Sequence, residues 1–191
     1  MKVVAFNGSP RPEGNTQRLL SEVLGELEKE GIRTEIINIG GNPVRGCTAC
    51  MKCMERLDGR CILDDDFVND CIEKMVDADG IIIGSPTYFS DVSTETKALI
   101  DRAGLVSIVN GGLFTQKVGA AVVAARRGGA IHAYDTINHF FGISNMITVG
   151  SSYWNLGFGL KAGEVENDDE GLHTMRDLGY NMAWLLKKIH K

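Results

Sequence analysis

The feature that most constrains the fold of this chain is a regular alternation of short apolar runs with longer amphipathic segments. The runs are rich in Val, Ile and Ala, which is typical of strands covered on both faces of a sheet. Five runs are predicted as strands: residues 2–6, 34–39, 80–85, 118–125 and 146–149. Strands that alternate with helices in this way predict an α/β fold with a doubly wound, five-stranded parallel sheet.

Between the strands, apolar residues recur at helical spacing. Helices are predicted over residues 19–30, after Asp64–66, over 94–109, from about 130 to 141, and over 168–190. Residues 40–64 show no clean period and are predicted to form an insertion after the second strand. No repeat or linker-like tract divides the chain, so residues 1–191 are predicted to form a single domain.

Composition and charge indicate which partners and cellular locations to expect. The formal net charge is −5 and no long basic run occurs, which predicts that nucleic acid is not a partner. Only Met1 precedes the first predicted strand, so no targeting segment is expected. The longest apolar runs are too short to cross a bilayer, so we expect no membrane partner and a cytoplasmic protein.

The loop after the first strand, residues 7–17, contains the elements of a phosphate site. Ligands of doubly wound sheets bind beyond the carboxyl ends of the strands, and a helix begins directly after this loop. Ser9, Asn15 and Thr16 supply short side-chain donors. Neither a P-loop lysine nor a G-x-G-x-x-G motif is present, so the pattern favours a terminal phosphate monoester. The alternative interpretation is an ordinary helix cap.

The loops after the third and fourth strands favour a flat ring. Pro86 fixes the chain as it leaves the sheet, and Tyr88 and Phe89 follow where a bound ring would pass. After the fourth strand, Arg126 and Arg127 precede paired glycines, which permit close approach of the backbone. Such an arginine suits the negative charge of a reduced ring or the phosphate of a nicotinamide cofactor. The alternatives are aromatic residues that cover the core and solvated arginines.

The cysteines form the third unusual feature. Cys47, Cys50, Cys53 and Cys61 read as C-x₂-C-x₂-C-x₇-C, and the chain has five cysteines in all. Without a secretion signal, this spacing favours metal or redox chemistry over a disulfide framework. Four thiolates suit Zn²⁺ or a [4Fe–4S] cluster, and a compact triplet with a distant fourth cysteine favours the cluster. Free or redox-active thiols remain an alternative. The fifth cysteine, Cys71, is predicted to lie in the core.

Taken together and in order, these motifs resemble the NADPH-dependent FMN reductase branch of the flavodoxin-like superfamily, and the cysteine cluster resembles that branch's iron–sulfur flavoproteins. The matching segments are GSPRPEGNT at 8–16, the cysteines at 47–61, SPTYFSDVS at 85–93, KALIDR at 97–102 and RRGG at 126–129. The resemblance implies strand order 2-1-3-4-5, with the cysteine-containing insertion after strand 2. This sequence departs from a common cluster pattern in that no Pro follows Cys61.

The resemblance also implies site residues. The expected FMN-binding residues are Ser9, Arg11, Asn15, Thr16, Gln17, Pro86, Thr87, Tyr88, Phe89, Arg126, Gly128 and Gly129. Of these, the first four would hold the phosphate, residues 86–89 would line the isoalloxazine ring, and Gly128–Gly129 would lie near its pyrimidine edge. The four clustered cysteines would hold the [4Fe–4S] cluster. No protein side chain is expected to act as a catalytic base, because the flavin carries the chemistry.

The expected function is an FMN-dependent oxidoreductase or electron carrier that takes electrons from NADH or NADPH. Its acceptor would be a small molecule or a protein such as ferredoxin, and the family suggests a homodimer or homotetramer. The alternative is a non-enzymatic FMN-binding or regulatory protein with structural or redox-sensing cysteines. Two further interpretations concern charged residues. Asp64–66 are expected to cap a helix, and Lys97, Asp101 and Arg102 to lie on a helix surface or an interface.

Overall fold

The computed structural model describes residues 1–190. Its strands are β1 (Lys2–Asn7), β2 (Arg33–Asn38), β3 (Gly80–Pro86), β4 (Val118–Ala125), β5 (Ile147–Thr148) and β6 (Leu156–Phe158). Its α-helices are α1 (Asn15–Lys29), α2 (Lys52–Arg56), α3 (Val68–Asp77), α4 (Thr94–Val109), α5 (Ala130–Ile143) and α6 (Asp169–Ile189). A turn of 3-10 helix at Glu164–Asn167 precedes α6.

The sheet is parallel and its main path runs β2-β1-β3-β4-β5, which confirms the predicted fold class and strand order. A sixth strand was not predicted. β5 pairs with the start of β4, and β6 pairs in parallel with its end, from Val123 opposite Leu156 to Ala125 opposite Phe158. The last part of the chain therefore reaches the carboxyl edge of the sheet beside β4.

Two layers of helices cover the sheet. Every residue of β4 is buried, as expected for a strand covered on both faces. On one face, α1 and α6 pack through Leu20, Val23 and Met175 in one apolar cluster. On the other face, α3, α4 and α5 pack through a second cluster that includes Cys53 and Cys71. The prediction that Cys71 is a core residue is confirmed.

The insertion predicted at 40–64 follows β2 as expected, and it contains the short helix α2. The residue before α3 is Phe67, which makes no side-chain cap hydrogen bond. Of the three aspartates expected to cap α3, Asp66 accepts a hydrogen bond from Val68 N at 3.1 Å through Oδ1. Its other oxygen, Oδ2, accepts a hydrogen bond from Arg102.

No helix within residues 1–190 is long and apolar enough to cross a membrane.

Candidate functional site

Eight of the predicted cofactor residues lie together in one cleft at the carboxyl edge of the sheet. Those residues are Ser9, Arg11, Asn15, Thr16, Pro86, Thr87, Tyr88 and Arg126. They come from the loops after β1, β3 and β4, which parallel pairing of those strands brings side by side. The cleft therefore joins the segments that the sequence singled out separately.

Close backbone packing positions the loop after β1. Gly8 N donates to Gly84 O at 2.8 Å, and a Cβ at Gly8 would lie 1.9 Å from Thr96 Oγ1. The side chain of Asn7 is buried beneath the loop, where its Oδ1 accepts from Ser9 N at 3.0 Å. The loop is thus fixed from below before any ligand binds.

Helix α1 presents an uncapped N-terminus to the cleft. It begins at Asn15 after Gly14, with no side-chain cap and no acidic residue in its first turn. The first N–H groups of a helix lack partners within the helix and carry partial positive charge. The hydroxyl of Ser9 accepts from Arg11 N at 3.3 Å, which leaves its own proton available for donation. The arrangement is suited to an anion such as a phosphate.

The loop after β3 forms a tight, strained turn over the cleft. Thr87 N donates to Ala124 O at 2.8 Å, which ties the loop to β4. Tyr88 and Asp91 exchange two backbone hydrogen bonds, and the residues between them, Phe89 and Ser90, have φ values of 47° and 67°. Positive φ is uncommon for residues other than glycine, and such strain tends to occur at functional sites.

Four predicted FMN residues do not line this cleft. Gln17 accepts a hydrogen bond from Asn7 Nδ2 at 2.9 Å and so supports the loop from its side. Phe89 is fully exposed at the tip of its turn. Gly129 lies beside that turn, where a Cβ would approach Ser90 Oγ to 3.0 Å, whereas a Cβ on Gly128 would have nothing within 4 Å among residues 1–190.

Sequence reasoning missed Gly159 and Leu160, which complete the cleft. Arg11 Nη1 donates to Leu160 O at 2.9 Å, and Asn15 Oδ1 accepts from Val165 N at 3.3 Å. These contacts join the first loop to the segment after β6, about 150 residues later in the chain. In the sequence this segment is marked only by closely spaced glycines, and glycines alone do not predict a strand.

The four clustered cysteines surround a second cavity, which shares no lining residue with the first. Cys47, Cys50, Cys53 and Cys61 all line it, and its remaining wall is largely apolar apart from Arg102 and Thr48. Cys47 and Cys50 are exposed, whereas Cys53 is buried. No three Cys, His, Asp or Glu side chains of residues 1–190 are grouped closely enough to hold a single metal ion.

The backbone around these thiols is strained. Ala49, Met51 and Leu57 have φ values between 51° and 58°, in the left-handed region that favours glycine. Met51 and Leu57 flank α2. The buried residue of that helix, Cys53, packs in the core. A strained segment persists only where its surroundings fix it, so the loop conformation around the cysteines is specified closely.

The thiols differ in their ionisation. A hydrogen bond from the backbone of Lys52 lowers the pKa of Cys50, whereas burial raises the pKa of Cys53. Burial raises the pKa of Cys71 to about 12, so that thiol is inert in the core. Cys50 is therefore more readily converted than Cys53 or Cys71 to the thiolate that binds metals or reacts.

Arg102 lies beneath the cysteine cavity, which corrects its assignment to a helix surface. Its side chain is fully buried and forms an ion pair with the buried carboxylate of Asp66. Burial alone would favour neutral aspartic acid, but hydrogen bonds from Arg102 and from the backbone of Arg45 and Val68 hold the pKa of Asp66 below its usual value. Lys97 and Asp101, by contrast, form an exposed i,i+4 pair on α4, as expected.

Comparisons with known proteins agree with this architecture. The family model described as NADPH-dependent FMN reductase matches residues 1–161. An iron-sulfur flavoprotein of Methanocaldococcus jannaschii is 42% identical over 198 residues, covering 100% of both chains. An iron-sulfur flavoprotein of Methanosarcina thermophila is 32% identical over 194 residues, covering 100% of this chain and 98% of its own.

Among solved structures, RosB with bound 8-demethyl-8-formylriboflavin-5'-phosphate superposes with a TM-score of 0.79 at 18% identity, covering 100% of this chain and 80% of RosB. At that identity the likeness shows the fold alone. The family match and the full-length relatives show which family the chain belongs to. The chain belongs to the NADPH-dependent FMN reductase family, a family of flavodoxin-like FMN oxidoreductases in which its full-length relatives are iron-sulfur flavoproteins.

Proposed function

We propose that this protein is an FMN-dependent oxidoreductase of the iron–sulfur flavoprotein type, working in the cytoplasm as a single domain spanning residues 1–191. It takes electrons from NADH or NADPH and passes them through FMN and a [4Fe–4S] cluster to a small-molecule or protein acceptor such as ferredoxin. The observation that carries the proposal is the cleft at the uncapped start of α1, in which eight of the expected FMN residues meet.

In this proposal the phosphate of FMN lies at the start of α1. Ser9 and Thr16 donate from their hydroxyls, Asn15 lies at the first turn, and Arg11 closes the site from the side of Leu160. Thr16 and Ser9 are largely buried, so their hydrogen bonds to a phosphate would be shielded from water. The neutral donors and the helix end together hold the charge without a metal ion.

The ring of FMN would lie over the loops after β3 and β4. Pro86, Thr87, Tyr88 and Arg126 all line the cleft there. Arg126 is exposed, and its guanidinium would offset negative charge on the ring or on a nicotinamide phosphate. Bound FMN supplies two-electron chemistry toward NAD(P)H and one-electron chemistry toward a cluster, while the protein orients it and excludes water.

The residues around the second cavity fit a [4Fe–4S] cluster. Four cysteines line it, the rest of the wall is mostly apolar, and the Nε of Arg102 is a buried donor without a hydrogen-bond partner among residues 1–190. A buried donor of this kind suits a cavity that holds sulfur and negative charge.

Exposed apolar residues support a homodimer or homotetramer. Phe89 is fully exposed. Tyr153 and Trp154, whose ring centroids lie 4.9 Å apart, are 59% and 50% exposed. Leu160, which lines the cleft, is also exposed. Aromatic side chains in such positions are enriched at protein interfaces, so a second subunit would cover the flavin.

One observation favours a second candidate, a regulatory FMN-binding protein with redox-sensing cysteines. Cys50 is exposed and its pKa is lowered, which are the properties of a reactive thiol. Such a protein would bind FMN but turn over with neither NAD(P)H nor reduced ferredoxin.

The testing experiment is purification without oxygen, followed by an absorbance spectrum and assays of iron and acid-labile sulfide on the same sample. Flavin bands near ~450 nm on a broad brown shoulder, with about four irons per chain, are the expected result. Steady-state assays with NADPH and NADH then identify the nicotinamide donor, and an assay with reduced ferredoxin tests electron exchange with that protein. A sample that takes up no FMN would overturn the proposal, and one with FMN but neither iron nor turnover would favour the redox-sensing candidate.

A further inference from the structure

We infer that Arg102 is a positioning residue for the cluster: its guanidinium ties together the two ends of the cysteine segment, and its Nε–H is the donor that a sulfur of the bound cluster accepts. The inference rests on the proposed [4Fe–4S] site and goes beyond it by assigning a role to a residue outside the four ligands.

The first observation is the set of bonds made by the two terminal nitrogens of Arg102. Nη1 donates to Arg45 O at 3.1 Å, and Nη2 donates to Leu63 O at 2.7 Å. Arg45 precedes the first ligand cysteine by two residues, and Leu63 follows the last by two. One guanidinium on the rigid helix α4 therefore closes the loop that carries all four thiols.

Asp66 completes this arrangement. Its Oδ2 accepts from Arg102 Nη1 and from Arg45 N, the latter at 3.1 Å. The carboxylate thus fixes both the guanidinium and the start of the cysteine segment. The carboxylate also neutralises the charge of Arg102. Arg102 therefore contributes a hydrogen-bond donor to the cavity rather than a net positive charge.

The second observation is the remaining nitrogen. Arg102 is 1% exposed, and its Nε is buried without a hydrogen-bond partner among the described residues. Buried N–H groups almost always have partners, and one left alone is destabilising. Arg102 and Cys61 line the same cavity.

The physical consequence concerns the reduction potential. A cluster held by four thiolates is negatively charged, and reduction adds to that charge. A donor to one of its sulfurs stabilises the reduced state more than the oxidised state and so raises the potential. Removing that donor while keeping the positive charge should lower the potential and weaken retention of iron.

The test uses the full chain purified without oxygen, and compares wild type with Arg102→Lys. Lysine keeps the charge near Asp66 but cannot bond both backbone ends and the sulfur together. We expect Arg102→Lys to bind FMN normally, to retain less iron and sulfide per chain, and to lower the ratio of reduced to oxidised cluster about ten-fold at a fixed potential, which is about 59 mV for a one-electron couple. The matched control, Lys97→Arg on the exposed face of α4, should change none of these.

A second measurement needs no variant at position 102. Pulsed EPR of the reduced cluster in protein labelled with nitrogen-15 arginine should show a nitrogen coupling from the hydrogen-bonded Nε. Arg45→Lys, Arg56→Lys and Arg60→Lys should keep that coupling, because their side chains are exposed.

The outcomes separate the two levels of the argument. Wild type that holds neither iron nor sulfide overturns the proposed function, and this inference with it. Wild type with a cluster but no arginine coupling overturns the inference alone, as does Arg102→Lys with unchanged iron content and potential. A coupling in wild type supports it even if Arg102→Lys fails to fold.

Discussion

At the scale of single residues, the proposed phosphate site depends on two hydroxyls rather than on a charged clamp. Ser9 and Thr16 are buried beside the uncapped start of α1. Replacing both with Ala should weaken FMN binding by about 1–3 kcal/mol in total, because each substitution removes one hydrogen bond to a charged group. Isothermal titration of the apoprotein with FMN measures the loss. Ser21→Ala is the matched control, since that exposed α1 hydroxyl bonds only Gln17 O; equal affinity in all variants would place the phosphate elsewhere.

The buried pair of Asp66 and Arg102 gives a second prediction at this scale. The pKa of Asp66 is lower in the folded chain than in the unfolded chain, so its contribution to stability is complete above the unfolded value of about 3.9 and is lost as the pH falls through the folded value. Asp66→Asn leaves Arg102 buried and unpaired, which should cost about 3–5 kcal/mol at pH 7.

Urea unfolding at pH 7 and below pH 4 tests this. The difference in unfolding free energy between wild type and Asp66→Asn should shrink as the pH falls. Asp65→Asn is the control, because Asp65 pairs with Arg45 at an exposed site and should matter by under about 1 kcal/mol. A constant gap across the pH range would contradict the assignment of this linkage to Asp66.

At the scale of secondary-structure elements, the contact between the loop after β1 and the start of α4 leaves no space for a side chain. A Cβ at Gly8 would overlap Thr96 Oγ1, whereas Gly25, within α1, has nothing within 4 Å of such a Cβ. Gly8→Ala should therefore lower both stability and FMN affinity. Gly25→Ala should raise stability by about 0.5–1 kcal/mol, because alanine is the better helix former. Thermal unfolding with and without FMN compares them, and a Gly8→Ala protein as stable as wild type would refute the packing argument.

The strands and helices differ in how well the sequence alone predicted them. β3, β4 and α4 were predicted nearly to the residue, because their apolar runs and end signals are local. β6 was missed because it has three residues, and its pairing with β4 depends on contacts far along the chain. Arg102 was misplaced for the same reason. Nothing in KALIDR distinguishes the exposed Asp101 from the buried arginine beside it, and the partners of Arg102 lie 36–57 residues away.

At the scale of the whole molecule, the two proposed cofactor sites are built on helices that pack against opposite faces of the sheet. The phosphate cleft is built from the start of α1, which packs on one face of the sheet. The cysteine segment packs against the other face, where Cys53 and Cys61 meet the core around α3 and α4. The two cavities share no lining residue. Damage to one site should therefore leave the other intact.

This separation predicts the effect of Cys50→Ser, which changes an exposed thiol to a hydroxyl that ligates iron poorly. The variant should lose iron, sulfide and the brown absorbance, yet bind FMN within about two-fold of wild type, since its substitution lies outside the phosphate cleft. Cys71→Ala is the matched control. It removes a buried thiol that lies in the core and outside the cavity lining, so it should lower the unfolding free energy by about 1–2 kcal/mol while keeping iron and FMN. If Cys50→Ser lost FMN together with iron, the cysteine segment would be a structural support for the flavin site, and the two halves of the molecule would form one cooperative unit.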